Sequence, residues 1–134
     1  MRRIAADAVV IHKGKVLLIR RRNPPFKGML ALPGGMLEDN ETLEQCAVRE
    51  AREEAGAVVR PLRLVGVYSH PKRDPRGTVS VAFRCKFTGG TLSAGSDAAS
   101  VQWVPVNRLP KLAFDHNNII RDSLARRSGV RVNI

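Results

Sequence analysis

The chain has 134 residues and a formal net charge of +11, and 43% of its residues are hydrophobic, 26% charged and only 4% aromatic. This length and balance are typical of one folded domain, so we expect residues 1–134 to form a single unit and not a disordered chain. The charge favours an anionic partner. The few aromatic residues, and the absence of a helix-turn-helix, zinc-finger or RNA-binding motif, argue against nucleic acid.

No targeting or membrane segment is evident in the sequence. The start, MRRIAADAVVIHKGK, lacks the apolar core of a secretory signal, and no apolar run approaches the roughly 20 residues that cross a bilayer. Cys46 and Cys85 have neither the spacing of metal ligands nor the pattern of a disulfide framework. We therefore expect a cytoplasmic protein with free thiols and no membrane partner.

The first half of the chain predicts two strands, a loop and a helix. Residues 4–11 and 15–21 are largely apolar and flank a turn at Lys13-Gly14, which predicts two paired strands. Residues 23–28 contain two prolines and predict a loop. Residues 42–55 consist of good helix formers without Pro or Gly, and Gly56 follows as a stop signal, so a helix is predicted there.

The second half predicts three further strands and a second helix. Longer strands are predicted over residues 62–69 and 78–88, on either side of the turn-rich stretch HPKRDPRG, and another over SVQWVPV. A last helix is predicted from Asp115 to about Arg127, because its apolar residues recur at helical spacing. Many strands with one early and one late helix predict a mixed α/β fold in which the helices pack on a sheet.

Six glutamates lie within residues 35–57 of this basic chain, in the stretch GMLEDNETLEQCAVREAREEAGA. On the predicted helix, Glu50, Glu53 and Glu54 fall within an arc of about 100°, beside a stripe of alanines that would pack on the sheet. Like charges three and four residues apart repel each other, and Arg49 relieves only part of this repulsion. A hard divalent cation would relieve the rest, because Mg²⁺ is bound by carboxylates, water and substrate phosphates. An ordinary acidic helix surface is the alternative interpretation.

This segment resembles the Nudix box, G-x5-E-x7-R-E-U-x-E-E-x-G-U, at every polar and glycine position. The places of the motif are filled by Gly35, Glu41, Arg49, Glu50, Glu53, Glu54 and Gly56. Ala51 and Ala57 stand where a bulkier aliphatic residue is usual, which affects packing and not chemistry. The resemblance implies a Nudix-type α/β/α sandwich with a mixed sheet, one box helix and one C-terminal helix. It also implies metal-dependent hydrolysis of a nucleoside diphosphate linked to another group.

Carried over by position in the motif, the resemblance assigns metal ligands. These would be Glu50, Glu53 and Glu54, together with the backbone at Gly34, which glycine allows to approach closely. The expected cofactor is Mg²⁺, with Mn²⁺ as an alternative.

The resemblance also implies roles in catalysis and in loop support. The catalytic residues would be Glu50, Glu53 and Arg49, and the loop would be supported by Gly35 and Glu41. Arg49 would act by orienting a glutamate. The general base, which takes a proton from the attacking water, is left open among Glu50, Asp97 and Asp115, and Glu50 is preferred.

The substrate is indicated by residues outside the box. Pro71 lies fourteen residues past Ala57, and a proline about fifteen residues beyond the box marks ADP-ribose pyrophosphatases in this family, whose small prokaryotic members the flanking segments resemble. The implied products are AMP and ribose 5-phosphate. The expected substrate contacts are Arg22, Pro71, Arg73, Arg76 and Asp115. Alternatively, Pro71 belongs to an ordinary turn and Asp115 only caps the last helix.

Other functions stay open at this point. Within the enzyme class, the alternative is a nucleoside triphosphate pyrophosphatase that acts on oxidised nucleotides such as 8-oxo-dGTP. Outside it, the alternatives are a non-catalytic nucleotide- or RNA-binding Nudix domain and an mRNA-decapping protein, for which the chain is short. Relatives of this appearance often dimerise, so a homodimer is a further expectation.

Overall fold

The computed structural model describes residues 1–125 and 131–133. The strands are β1 (Ile4–His12), β2 (Lys15–Arg21), β3 (Leu30–Ala31), β4 (Gly34–Met36), β5 (Ala57–Tyr68), β6 (Val79–Gly90), β7 (Ala98–Pro105) and β8 (Arg131–Asn133). The helices are α1 (Leu43–Ala55) and α2 (His116–Leu124), and a short 3-10 helix spans Val106–Arg108. Within the described part of the chain, no helix combines the length and apolar character needed to cross a membrane.

The strands form one mixed sheet. Its main path runs β3-β2-β1-β6-β5-β8, while β4 pairs with β1 and β7 pairs with β2. Strand β1 is parallel to β6, and β5 is parallel to β8, whereas the other pairs are antiparallel. The pairing of β4 with β1 places Gly34 opposite Asp7 and Gly35 opposite Ala6. The glycine pair before α1 therefore lies against the middle of a buried strand.

The two helices cover opposite faces of the sheet. On one face, α1 buries Cys46, Ala47, Ala51 and Ala55 against alternate residues of β1 such as Ala8. On the other face, α2 buries Ile119 and Ile120 against Val9 and Leu18. The alternation of β1 between the two cores follows the period of two of a strand. The predicted α/β/α sandwich with a mixed sheet is thus confirmed.

The elements differ in part from the sequence predictions. The strand predicted to start at residue 62 begins at Ala57. In the sequence, Pro61 indicates a break in the strand. In the structure it lies where the β5–β6 register shifts, a place that tolerates a missing backbone N–H. The short strands β3, β4 and β8 were not predicted, since two or three residues carry no periodic signal. Helix α2 ends at Leu124, and the predicted end at Arg127 lies outside the described residues.

Candidate functional site

Both ends of α1 are fixed by residues that the sequence pattern identifies. Thr42 Oγ1 accepts a hydrogen bond from the Gln45 N–H at 3.1 Å, and Gln45 Oε1 accepts from the Thr42 N–H at 2.8 Å, which forms a capping box. Gly56 ends the helix with φ of 72°, and a Cβ there would overlap the carbonyl oxygen of Thr91. Because the ends are fixed, the angular position of every side chain on the helix is fixed too.

Arg49 connects the helix to the loop that precedes it. Its Nη2 and Nε donate to the two carboxylate oxygens of Glu41 at 2.7 and 2.9 Å, and Nη2 also donates to the Met36 carbonyl at 3.1 Å. Its Nη1 donates to Glu50 at 2.6 Å and to Glu53 at 3.1 Å. This pairing lowers the pKa of Glu41 to about 2 and raises that of Arg49. Both groups are therefore charged at neutral pH and hold the loop on the helix.

The three helix glutamates are not equivalent. Glu53 is 59% exposed and lies beside Arg49, whereas Glu50 is 13% exposed. Burial, together with the neighbouring carboxyl of Glu50, raises the pKa of Glu54 well above its ordinary value, although a backbone hydrogen bond at Gly34 opposes the shift. Two carboxyl groups that share a desolvated site cannot both ionise without cost. Glu54, which with Glu50 forms the carboxylate pair, thus needs a nearby cation in order to be charged.

The glycines next to this pair are required for space. A Cβ on Gly35 would lie 2.6 Å from Cδ of Glu50, and a Cβ on Gly34 would lie 2.6 Å from the Ala6 carbonyl oxygen and would overlap the carboxylate of Asp7. A side chain at either position would therefore clash, at Gly35 with the Glu50 carboxylate and at Gly34 with β1. The backbone of β4 can approach the carboxylate pair only because these two residues lack side chains.

Two adjoining cavities lie at this end of the sheet. The outer cavity, of about 290 Å³, is lined by Glu50, Glu54, Asn23, Pro24 and Asp97. The inner cavity, of about 110 Å³, is lined by Asp7, Thr78, Ser80, Phe114 and His116, among others. Both are lined by Arg21, Gly34, Gly35, Met36 and Arg76. The shared residues make the two cavities one continuous cleft.

Buried polar groups line the inner cavity. Asp7, 6% exposed, accepts a hydrogen bond from Ser80 Oγ and lies 3.7 Å from Nε2 of His116. Nδ1 of that histidine accepts from the Leu32 N–H at 3.0 Å. Burial lowers the pKa of His116, so the imidazole is neutral at physiological pH and its Nε2 carries the proton. The histidine is held in place by the Leu32 N–H and is poorly placed to act as a base.

The arginines around this cavity are held in different ways. Arg73 is buried and donates to both carboxylate oxygens of Asp115, at 2.7 and 2.9 Å, and to the Thr78 carbonyl at 3.0 Å. Arg76 pairs with Asp74 at 2.8 Å. The guanidiniums of Arg21, Arg73 and Arg76 lie 5.0, 5.8 and 5.8 Å from the ring centre of Phe114, within the range of cation–π attraction.

The structure brings together some of the residues predicted for the site and leaves others apart. Those that line the cleft are Glu50, Glu54, Gly34, Gly35, Arg73 and Arg76. Glu41 and Glu53 lie beside these residues, where both pair with Arg49. Arg22, Pro71 and Asp115 line neither cavity. Asp115 occupies the N-cap position of α2, but its side chain caps no backbone N–H and binds Arg73 instead.

Arg21, Asp7 and Thr78 are among the residues of the cleft that the sequence prediction does not include. Arg21 could have been found, because it follows Leu17 and Ile19 on the strand face that α1 covers. Asp7 is the single charged residue in the strand IAADAVVIH, which marks it as a buried carboxylate that needs partners. Thr78 carries no local signal.

The carboxylate pair provides the oxygen donors that a hard divalent cation prefers. Within residues 1–125 and 131–133, no three His, Cys, Asp or Glu side chains are arranged as a ready-made metal site, and Glu53 is paired with Arg49. The adjacent Glu50 and Glu54, with glycine backbone against them, nevertheless fit Mg²⁺ or Mn²⁺, which accept carboxylates, carbonyl oxygens and water. The chemistry of the donor set thus agrees with a cation at this position.

Comparison with known proteins gives a consistent result. The family model described as NUDIX domain matches residues 1–125. An ADP-ribose pyrophosphatase from Methanocaldococcus jannaschii is 47% identical over 127 residues, which cover 94% of this chain and 75% of that protein. The NUDIX domain of Shewanella oneidensis NrtR, solved in complex with ADP ribose, is 32% identical with a TM-score of 0.75, covering 92% of this chain and 86% of that one.

A third relative was solved with a metal ion. This is a bifunctional NMN adenylyltransferase/ADP ribose pyrophosphatase from Francisella tularensis, complexed with AMP and a Mn ion. It is 27% identical with a TM-score of 0.77, and the match covers 90% of this chain and 40% of the larger one.

Proposed function

This chain belongs to the NUDIX family, and we propose that it is a hydrolase that splits ADP-ribose into AMP and ribose 5-phosphate. The observation that carries the proposal is the cleft in which the carboxylate pair lies against Gly34 and Gly35, next to a second, polar cavity. A pyrophosphate needs a cation and close backbone approach, and the group attached to it needs a pocket of its own. The similarity to an ADP-ribose pyrophosphatase and to a domain solved with ADP ribose supports this substrate.

We propose Mg²⁺ as the cofactor, with Mn²⁺ able to replace it. Glu50, Glu54 and the backbone at Gly34 would hold the ion, and Glu53 would join them on leaving Arg49. When bound, a divalent cation neutralises phosphate charge and acidifies a water for attack on phosphorus. The Mn ion in the Francisella relative supports a divalent metal in this fold.

The protein's own groups would orient the reactants. Arg49 holds Glu50 and the loop around Glu41, so the carboxylate pair is positioned before substrate arrives. Of the three candidate bases, Asp115 is least suited, because both its oxygens accept hydrogen bonds from Arg73. Glu50 and Asp97 line the outer cavity, and we propose Glu50 as the base with Asp97 as the alternative.

Arg21 and Arg76 both line the two cavities, and because Arg76 is paired with Asp74 at 2.8 Å, Arg21 is the better placed of the two to contact the pyrophosphate. We expect Arg21→Ala to lower kcat/KM for ADP-ribose by about 10- to 100-fold, as the loss of a hydrogen bond from a charged donor does. Arg22→Ala removes the same side chain from the next residue, which lines neither cavity, and should change kcat/KM by less than about twofold. Steady-state kinetics on both variants would decide, and a larger loss in Arg22→Ala would restore the assignment made from the sequence.

Product analysis tests the function itself. The purified protein is incubated with Mg²⁺ and, separately, with ADP-ribose, ADP-glucose, diadenosine polyphosphates, dGTP and 8-oxo-dGTP. We expect the highest kcat/KM for ADP-ribose, with AMP and ribose 5-phosphate as products. Preferred release of pyrophosphate from a triphosphate would replace this function by the triphosphatase alternative. No turnover of any substrate with Mg²⁺ or Mn²⁺ would indicate a binding domain.

A homodimer, which the family resemblance implies, and a cytoplasmic location, which the sequence analysis favours, stay predictions. The predicted partner is the nucleotide sugar itself, and neither a membrane nor a nucleic acid is proposed. Analytical ultracentrifugation at two protein concentrations would test the dimer.

A further inference from the structure

The hydroxyl of Thr78 is buried in the inner cavity without a hydrogen-bond partner. Thr78 is 2% exposed, lines the cavity, and its Oγ1 contacts no donor or acceptor among residues 1–125 and 131–133. Leaving a buried hydroxyl unpaired typically costs about 1 to 3 kcal/mol, and native proteins rarely leave one so. A polar atom of a ligand in the cavity would satisfy it.

The other groups in the cavity show what kind of ligand this would be. Asp7 is a carboxylate that is 6% exposed, and carboxylates accept hydrogen bonds; the other carboxylate of the cavity, Asp74, is already paired with Arg76. A base such as adenine normally enters an apolar pocket with a free aromatic face. The ring of Phe114 is not free, because it already contacts three guanidiniums, Phe26 and His116. The lining therefore suits a ligand that presents several hydroxyl donors.

The position and size of the cavity indicate which part of the substrate it accepts. It shares Arg21, Gly34 and Arg76 with the outer cavity, so it lies next to the place proposed for the pyrophosphate. Its volume of about 110 Å³ is well below the 290 Å³ of the outer cavity. Of the two ends of ADP-ribose, the terminal ribose is smaller than the adenosine and carries only hydroxyls.

We propose that the inner cavity binds the terminal ribose of ADP-ribose. Thr78 Oγ1 hydrogen-bonds one sugar hydroxyl, and the carboxylate of Asp7 accepts from another. This inference rests on the proposed function. It assigns the specificity for the sugar to Asp7 on β1 and to Thr78 directly before β6, and not to α1. Substrates with a pentose beyond the pyrophosphate are favoured over those with none.

The test replaces Thr78 by Val, which keeps the shape and removes only the hydroxyl. The kcat/KM values are measured for ADP-ribose and for the P2-methyl ester of ADP, which has the same adenosine and pyrophosphate but no terminal sugar. We expect Thr78→Val to lower the ratio of the two values by about fivefold to tenfold, as the loss of one hydrogen bond does. Its Tm should not fall below that of the wild type, because the hydroxyl has no partner in the protein and its removal relieves the cost of burying it.

Thr88→Val is the matched control, since the Thr88 hydroxyl donates to the Val58 carbonyl at an exposed position away from both cavities. The ratio should not change in this variant. An unchanged ratio in Thr78→Val, or an equal loss for both substrates, overturns the inference while the proposed function stands. If the wild type hydrolyses neither substrate, the proposed function fails. Calorimetric binding of ribose 5-phosphate then decides, with weaker binding by Thr78→Val supporting the inference and equal binding overturning it.

Discussion

Replacement of Glu54 by Gln is expected to lower kcat for ADP-ribose by about a thousandfold, because a ligand of the divalent cation is lost. The metal-free fold should be unaffected. The raised pKa of Glu54 means that this carboxyl is protonated near neutral pH when no cation is bound, and glutamine has nearly the same shape and charge as the protonated acid. A metal-binding role thus predicts loss of turnover without loss of folding.

The same substitution predicts a change in how stability depends on pH. In the wild type, the folded state holds the Glu54 proton over a pH range in which the unfolded chain, with its ordinary pKa of 4.5, has released it. The stabilisation is therefore complete below about pH 4.5 and is lost as the pH rises towards the raised value. Urea denaturation of the metal-free protein at about pH 5 and pH 8 should show this decline in the wild type and a smaller one in Glu54→Gln.

Glu44→Gln is the control for both measurements, because Glu44 lies in the first turn of the same helix and is exposed. It should behave as the wild type. Addition of Mg²⁺ should raise the Tm of the wild type and of Glu44→Gln, and it should release protons near neutral pH, since the ligands must ionise. Neither effect should occur in Glu54→Gln. Near-normal turnover in that variant would remove Glu54 from the metal site.

Replacement of Asp115 by Ala is expected to lower the free energy of unfolding by about 3 to 5 kcal/mol, which is the usual cost of breaking a buried ion pair. The side chains of Arg73 and Asp115 are 4% and 13% exposed and share two short hydrogen bonds. Without Asp115, the guanidinium of Arg73 is buried with a single carbonyl partner. Urea denaturation monitored by circular dichroism would give the difference.

The double variant Arg73→Met/Asp115→Ala separates the ion pair from the packing. It should be more stable than Asp115→Ala alone, because no uncompensated charge is then buried. A loss below about 1 kcal/mol in Asp115→Ala would show that the pair contributes little. Activity of the folded single variant at low temperature would also exclude Asp115 as the general base.

The parts of the site that are local in sequence could be predicted, and those that depend on distant pairing could not. Thr42 and Gly56 define the helix, and its turn of 3.6 residues then places Glu50 and Glu54 on one edge. Adjacent arginines are harder to tell apart from the sequence. The prediction names Arg22 as a substrate contact, although the alternation of side chains along β2 favours Arg21.

The inner cavity shows the limit of local patterns. Asp7 and Ser80 are 73 positions apart and meet only because β1 lies parallel to β6. Arg73 and Asp115 are 42 positions apart, so their pairing could not be read from either segment. Each was therefore predicted as a substrate contact on its own, whereas the two side chains bind each other. Pro71 remains a sequence-based prediction, since it is exposed and lines neither cavity.

The parallel pairing of β1 with β6 also has a consequence for how the protein folds. It joins Ile4 to Val79, 75 positions later. Closing so long a loop costs chain entropy, and this cost is met before the contacts between the strands can stabilise the pair. Pairings of high contact order form slowly, whereas α1 with its capping box is a local element. During refolding, the helical signal should therefore return first and enzymatic activity last, since the cleft exists only once the two ends of this long segment have met.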